Sequence, residues 1–235
     1  MWHCLLLLAT LNCVISVDMP KYMRACSRTD RHLNACALKS ARAAIRQFSL
    51  GDPSKGLPPL DPLYVAQMTA FVPNQQGFKI VFKGNNFTGL SEMFLEDLSF
   101  LLDCVVDYIS LLIIINSNLL IIILEIGIND TLFIYGRFLY ITIYSLWIKI
   151  GDDGQIYWKI YDQDVTYEVE KATFRLENLL YDKSLGEQIN RLINKMSQEI
   201  VNDVGPYICK SLSTAVADNI GIFLAQVPYD ILMPQ

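Results

Sequence analysis

Apolar residues recur every three or four positions along two stretches of the chain. In the first, from Cys26 to Phe48, charged side chains separate the apolar ones, which predicts an amphipathic helix. The second runs from Leu185 to Val227, and a helix with so long an apolar stripe needs a large apolar surface to lie against. Because proline lacks a backbone donor and clashes with the preceding turn, we predict a kink or break between Asn202 and Pro206.

Alternating apolar and polar residues predict antiparallel strands in two other regions. Tyr64 to Leu101 alternates in short bursts between turns rich in Asn and Gly. Trp147 to Leu176 holds two stretches rich in Trp, Ile and Lys on either side of Gly151 to Gly154, where Asp153-Gly154 suits a tight hairpin turn. Ahead of these strands, Leu57 to Leu63 carries three prolines, so we predict an extended segment there.

The stretch from Val105 to Leu146 follows neither pattern. It holds near-continuous Leu and Ile runs around Asn116-Ser117-Asn118, and then an aromatic, Ile-rich tail. Three interpretations stay open: buried strands, a transmembrane helix from Ile109 to Leu124, and sequence foreign to the native product. The central asparagines, and a length short of the roughly 20 apolar residues required, weigh against a membrane span. Its β-branched residues favour strands, although the missing alternation leaves their register unspecified.

The two ends of the chain predict how it is processed and organised. Met1 to Ser16 forms a short apolar run followed by polar residues, which predicts a secretory signal peptide cleaved near Ser16. Residues 17–235 contain no long linker, so we predict a single domain that acts outside the cell. In an exported chain, the sequons at Asn86 and Asn129 are candidate glycosylation sites.

Cysteine usage leaves two questions open. Cys26 and Cys36 are close enough in sequence to close a small loop in an oxidising compartment, although two independent thiols are the alternative. Cys104 and Cys209 either pair with each other or stay as buried thiols.

Charge and motif content exclude several classes of function. The net charge is −5 and both signs are scattered along the chain, which argues against nucleic acid as a partner. After signal removal His32 is the only histidine, so we predict no metal site, no cofactor and no catalytic residues. No nucleophile elbow, zinc-protease, phosphate-loop or dinucleotide motif occurs. Carboxylates that we assign to turns or to a solvent-facing surface, rather than to catalysis or calcium, are Asp152, Asp153, Asp162, Asp164, Glu168 and Glu170.

Several short motifs follow one another in a distinctive order. They are Leu33-Asn34-Ala35-Cys36, Gly56 to Leu63, Phe87 to Ser91, Phe174 to Leu180, Asn190 to Asn194 ahead of Pro206, and Val227 to Asp230. Together with the exported start, this order resembles the takeout and haemolymph juvenile-hormone-binding proteins of insects. Two departures are Leu180, where the family usually has phenylalanine, and the Val105 to Leu146 run, where the family would supply strands with a Tyr- and Gly-rich pattern.

The resemblance implies an α+β fold in which a strongly curved antiparallel sheet wraps one long C-terminal helix. It also implies a short N-terminal helix tied by a Cys26–Cys36 disulfide, and an apolar tunnel for a terpenoid hormone or fatty molecule. The function expected is therefore a secreted carrier of a small hydrophobic ligand, without enzymatic activity. Alternatives are a secreted interaction or signalling protein with a vestigial cavity and an unknown receptor, and a protein attached to membranes through residues 109–124.

Ligand contacts are expected from apolar residues on the inward faces of the predicted elements. They are Phe48, Phe71, Phe82, Tyr207, Leu212, Val216, Ile220 and Phe223, and ordinary core packing is the alternative for each of them.

The abrupt change of composition in the middle of the chain motivates one further hypothesis. Roughly Ser110 to Leu146 is translated intron or a gene-model error lying between two halves that resemble the family. Sequencing the mature transcript tests this, and an abundant message that encodes the run continuously would contradict it.

Overall fold

A computed structural model describes residues 19–71, 79–102, 108–125, 131–177 and 183–235. Cys104, Asn129 and the predicted signal peptide lie outside these described residues. The helices are α1 (Leu33–Ser49), α2 (Lys183–Lys195), α3 (Ser197–Leu224) and α4 (Tyr229–Leu232), with short 3-10 turns at Pro53–Lys55 and Leu90–Glu92. The strands are β1 (Leu63–Phe71), β2 (Lys79–Thr88), β3 (Phe94–Leu102), β4 (Tyr108–Glu125), β5 (Thr131–Ile150) and β6 (Ile156–Glu177).

The six strands form one antiparallel sheet in the order β1-β2-β4-β5-β6, and β3 pairs with β4 beside β2. Register shifts interrupt the long pairings, between Ser117 and Leu120 in β4 and at Arg137/Phe138 and Ser145/Leu146 in β5. Such bulges bend a sheet and increase its twist. As a result α3 packs against both β1 and β6, the two ends of the strand order. The predicted α+β fold, with a curved sheet around a long C-terminal helix, is confirmed.

The middle stretch forms the two central strands of this sheet. The transmembrane-helix interpretation of Ile109 to Leu124 is wrong, because these residues lie in β4 and pair with β2, β3 and β5. No helix in the described part of the chain is long and apolar enough to cross a membrane. Along β5 every second residue from Ile134 to Leu146 is buried. The alternation is hidden in the sequence because the opposite face of β5 is also rich in apolar residues. The translated-intron hypothesis concerns the message and stays a prediction.

The first helix begins at Leu33, inside the predicted Cys26 to Phe48 stretch, and Cys26 lies before it. The backbone N–H groups of Cys26 and Arg28 donate instead to the carbonyls of Leu232 and Pro234, at 3.4 and 2.9 Å. This pairing with the C-terminal segment keeps residues 26–28 out of a helix. A disulfide joins Cys26 to Cys36 on α1, with the Cα atoms 5.9 Å apart, as the resemblance implies.

The long C-terminal helical region breaks at Met196, and the predicted break between Asn202 and Pro206 is wrong. Pro206 lies inside α3, which continues past it. Upstream, the side-chain amide of Asn194 donates to the Phe174 carbonyl at 2.7 Å and its oxygen accepts from the Phe174 N–H at 2.9 Å. Asn190 makes the same pair of bonds with Leu176, at 3.0 and 2.7 Å. These bonds fix α2 along the edge of β6. The chain must therefore change direction at Met196 before α3 can pack against the inner face of the sheet.

Two predicted connections are found in the structure. Gly154 has φ 77° in the β5–β6 turn, where Asp153 accepts from the Tyr157 hydroxyl at 2.7 Å, so Asp153 serves the turn as predicted. Leu57 to Leu63 contains no helix, and its Asp61 carboxylate accepts from the backbone N–H groups of Gly89 and Ser91, at 3.1 and 2.8 Å. Two of the family-like motifs are therefore joined directly by Asp61.

Candidate functional site

Two apolar cavities lie between the sheet and α3. The α1 cavity, of about 290 Å³, is lined by α1, β3, β4, β5, β6, α3 and both terminal segments. The α2 cavity, of about 470 Å³, is lined by β1, β2, β4, β5, β6, α2 and α3. These volumes are at the lower end of the roughly 300–1,000 Å³ typical of small-molecule pockets.

The cavity walls follow from the periodicity of each element. On α1 the lining residues recur at helical spacing, and they are Leu33, Ala37, Ser40, Ala41, Ala44, Ile45, Phe48 and Ser49. On β5 alternate residues face inward, and those in the α1 cavity are Tyr140, Thr142, Tyr144 and Leu146. On α3 the lining residues are Cys209, Leu212, Ser213, Val216, Ile220, Phe223 and Leu224. The rings of Phe48 and Phe223 meet edge to face across this cavity, with centroids 5.9 Å apart.

Charge is nearly absent from both linings. Arg24 is the charged residue among those that line the α1 cavity, Asp203 is its counterpart in the α2 cavity, and both are exposed. The Ser40 hydroxyl in the α1 cavity is already used, because it donates to the Arg24 carbonyl at 2.8 Å and accepts from the Arg24 N–H at 2.8 Å. The interior therefore suits an uncharged, apolar guest.

The titratable groups inside the walls are held neutral by burial. Burial, followed by the neighbouring Cys209 thiol, raises the pKa of Tyr140 well above its ordinary value. Burial likewise raises the pKa of Tyr144 and of the Cys209 thiol, each to about 12. Within the described residues no cluster of three His, Cys, Asp or Glu side chains could hold a metal ion.

This chain was compared with known protein families, sequences and structures. The sequence profile of the family described as haemolymph juvenile hormone binding protein (JHBP) matches residues 4–234. The chain belongs to this family. The fold of this chain is similar to that of the crystal structure of Epiphyas postvittana Takeout 1, which is 18% identical and has a TM-score of 0.70, with 90% of this chain and 99% of that chain covered. A search of curated protein sequences found no match.

Most of the ligand contacts predicted from the sequence lie on the cavity walls of this JHBP-family chain. Phe48, Leu212, Val216, Ile220 and Phe223 line the α1 cavity. Phe71 and Phe82 line the α2 cavity. Tyr207 lines neither, and its ring lies against the exposed Phe71 with the centroids 5.9 Å apart. Ligand contact by these residues stays a prediction.

Sequence analysis missed the wall residues of β5 and β6. Tyr140 and Tyr144 on β5, and Trp158 on β6, are buried and line the α1 cavity. The signal that could have found the β5 residues is the spacing of two between Phe138, Tyr140, Thr142, Tyr144 and Leu146. The Ile and Leu residues between them masked that spacing.

The remaining candidates lie away from the cavities. His32 is exposed just before α1. The four carboxylates of β6 face solvent, as predicted. These four are Asp162, Asp164, Glu168 and Glu170. Asn86 lies half-buried in β2, where its side-chain amide donates to the Gly84 carbonyl at 3.2 Å. Glycosylation of Asn86 stays a prediction, as does that of Asn129 outside the described residues.

Proposed function

We propose that this chain is a secreted carrier that shelters a small hydrophobic ligand, such as a juvenile-hormone-like terpenoid or a fatty molecule, without chemical conversion. The observation that carries the proposal is the pair of apolar cavities, each with one exposed charged residue among its lining side chains. Membership of a family described as juvenile hormone binding supports the same class of ligand.

Burial of apolar surface supplies the driving force for binding. A ligand whose binding removes roughly 400 Å² of apolar surface from water gains about 10 kcal/mol of binding free energy, at about 25 cal/mol per Å². Lost translational and rotational freedom opposes this gain, and the net affinity is correspondingly smaller. The neutral Tyr144 and Cys209 side chains in the wall add no charge that would favour an ionised ligand.

Two observations support export of the protein. Met1 to Ser16 has the pattern of a signal peptide. The Cys26–Cys36 disulfide is of a kind that persists in oxidising compartments and is rare in the cytosol.

The proposal is tested with the full chain expressed in insect cells and purified from the culture medium. An apolar fluorescent probe is bound and then displaced by a terpenoid ester and by a fatty alcohol. Val216→Trp places a large ring on the α1-cavity wall, so we expect at least tenfold weaker probe binding there. Lys210→Trp is the matched control, because it adds the same ring at an exposed position of α3 and should leave binding unchanged.

Two results would contradict the proposed carrier function or the proposed export. A folded protein that takes up no probe and no lipid of any class contradicts the carrier function, and a protein partner captured by such an empty protein would favour the interaction or signalling alternative. Retention of the protein inside the cell would contradict export.

A further inference from the structure

The two cavities adjoin each other, and two side chains line both of them. Tyr140 on β5 and Cys209 on α3 line the α1 cavity and also the α2 cavity. On β5 the α2 cavity alone is lined by Leu132, Ile134 and Phe138, whereas the α1 cavity alone is lined by Thr142, Tyr144 and Leu146. The boundary therefore crosses β5 at Tyr140.

On β6 and α3 the lining also passes from one cavity to the other near Tyr140. On β6, Val165 lines the α1 cavity and Tyr167 lines the α2 cavity. On α3, Ile208 lines the α2 cavity and Leu212 lines the α1 cavity, with Cys209 between them. The boundary between the two cavities thus crosses β5, β6 and α3 at the same place.

Tyr140, Tyr167 and Cys209 lie at that boundary, and we call them the septum. Tyr140 and Tyr167 are direct partners in the β5–β6 register. The Tyr140 ring stacks on Phe138, with the centroids 5.8 Å apart, and the side chain is 5% exposed. The Tyr167 hydroxyl donates to the Val201 carbonyl of α3 at 3.2 Å, so this side chain bridges the space from β6 to the helix.

Helix α3 lies very close to the Tyr167 side chain of the septum. A Cβ atom placed on Gly205 of α3 would lie 2.5 Å from the Tyr167 hydroxyl oxygen, so the helix approaches this side chain as closely as a glycine allows. The Tyr140 hydroxyl is buried, and the Cys209 thiol is the polar group that interacts with it. Two members of the septum, one on β5 and one on α3, therefore meet across the space between the sheet and the helix.

We propose that the septum sets the maximum length of the ligand, by dividing the interior into two chambers that are filled separately. This inference rests on the carrier function proposed above and adds a specificity-determining element to it. From Tyr140 to Leu146 the α1 chamber extends about 20 Å along β5, and from Tyr140 to Leu132 the α2 chamber extends about 26 Å, at roughly 3.3 Å per residue. A linear lipid shorter than either chamber fits on each side of the septum, whereas one longer than both requires its removal.

The first test uses the wild-type protein and two linear alcohols delivered from cyclodextrin. 1-Decanol is shorter than either chamber and 1-docosanol is longer than both. Bound alcohol is measured per mole of re-purified protein by gas chromatography. We expect two molecules of 1-decanol per chain, and binding of 1-docosanol at least tenfold weaker than that of 1-decanol.

Variants then address the septum directly. Tyr140→Ala should join the chambers and allow one molecule of 1-docosanol per chain. Tyr140→Phe keeps the ring and should behave as the wild type. Tyr144→Ala is the matched control: it removes the same side chain from the same face of β5, four residues further along, but enlarges only the α1 chamber. Because Tyr144 lines the α1 cavity, this variant should alter the affinity for 1-decanol, but it should still exclude 1-docosanol because the septum is intact.

The outcomes separate the septum from the carrier function. A wild-type protein that binds one 1-docosanol per chain, or only one 1-decanol, overturns the septum while it leaves the carrier function standing. A wild-type protein that binds neither alcohol and no other lipid contradicts both. Thermal unfolding will show whether Tyr140→Ala folds. If it does not, the number of alcohol molecules bound per wild-type chain still tests the septum. Equal 1-docosanol binding by Tyr140→Ala and Tyr144→Ala also overturns the proposal.

Discussion

At the scale of single residues, the interior walls combine polar atoms with an environment that keeps them uncharged. Tyr144 is 3% exposed and Cys209 is 3% exposed, and burial raises the pKa of each to about 12. Neither group changes its charge in the physiological pH range. Ligand binding that depends on apolar burial should therefore not vary with the ionisation of these walls.

The same burial predicts a loss of stability in alkali. Cys209 has a pKa raised from 9.0 to about 12, so the unfolded chain releases this proton at a lower pH than the folded chain does. Its contribution is fully present below pH 9 and is lost progressively as the pH rises towards 12. At about 1.4 kcal/mol per pKa unit, the free energy of unfolding should fall by an amount on the order of 4 kcal/mol from this group.

Denaturant unfolding at a series of pH values from 8 to 12 measures this effect. Cys209→Ala removes the ionisable thiol and should flatten the decline that begins near pH 9, whatever its effect on stability at pH 8. Identical pH slopes for the wild type and Cys209→Ala would show that the thiol is not buried as the structure has it.

At the scale of elements, α2 lies along the outer edge of β6, the last strand in the sheet order of the described residues. Strand edges leave N–H and C=O groups without ladder partners. Asn190 and Asn194, four residues apart on one face of α2, satisfy those groups at Leu176 and Phe174. The helix thereby covers the edge and is held at the angle that requires the turn at Met196.

Asn194→Ala should detach this end of α2 from β6. Both side-chain bonds to Phe174 are lost, and leaving part-buried backbone groups unsatisfied costs about 1–3 kcal/mol. We expect a corresponding fall in the free energy of unfolding and faster hydrogen exchange at the Phe174 amide. Gln188→Ala, at an exposed position of the same helix, should change neither quantity by more than about 0.5 kcal/mol or its equivalent in exchange rate. Unchanged protection at Phe174 would contradict the role given to Asn194.

At the scale of the whole molecule, the two ends of the described chain close the α1 cavity together. Met23, Cys26, Leu232 and Met233 contribute to its lining. The Arg28 guanidinium lies 2.9 Å from the Asp230 carboxylate and stacks over the Tyr229 ring at 5.0 Å from its centroid. Because Cys26 is bonded to Cys36 on α1, the disulfide ties this closure to the rest of the fold.

Removing the disulfide should loosen this end of the molecule. For a loop of this size, with the cysteines 10 residues apart, the entropy model predicts a loss of about 2–3 kcal/mol in the free energy of unfolding. Cys26→Ala combined with Cys36→Ala should show this loss in denaturant unfolding, and the reduced wild type should match the double variant. Cys209→Ala, which keeps the disulfide, should remain sensitive to reductant. A double variant as stable as the wild type would be the contrary result.

Much of the cavity could be predicted from the sequence because periodicity reports which face of an element is buried. The helical spacing of Leu212, Val216 and Ile220 predicted a buried stripe, and these residues line the α1 cavity. The positive φ angle expected at Asp153-Gly154 is found at Gly154. The order of motifs identified the family, because several matches in sequence are more specific than any single one.

Tertiary contacts decided what periodicity does not report. Both faces of β5 are rich in apolar residues, so its sequence is compatible with more than one register, and only its pairing with β4 and β6 turns Tyr140 inward. The start of α1 at Leu33 and the break at Met196 depend on hydrogen bonds to distant segments, which outweigh local helix preference. The sequence by itself determined the buried stripe of α3, because helical spacing reports which face of a helix is apolar. Only the folded chain determined which buried residues meet, and therefore that two cavities face each other across Tyr140 and Cys209.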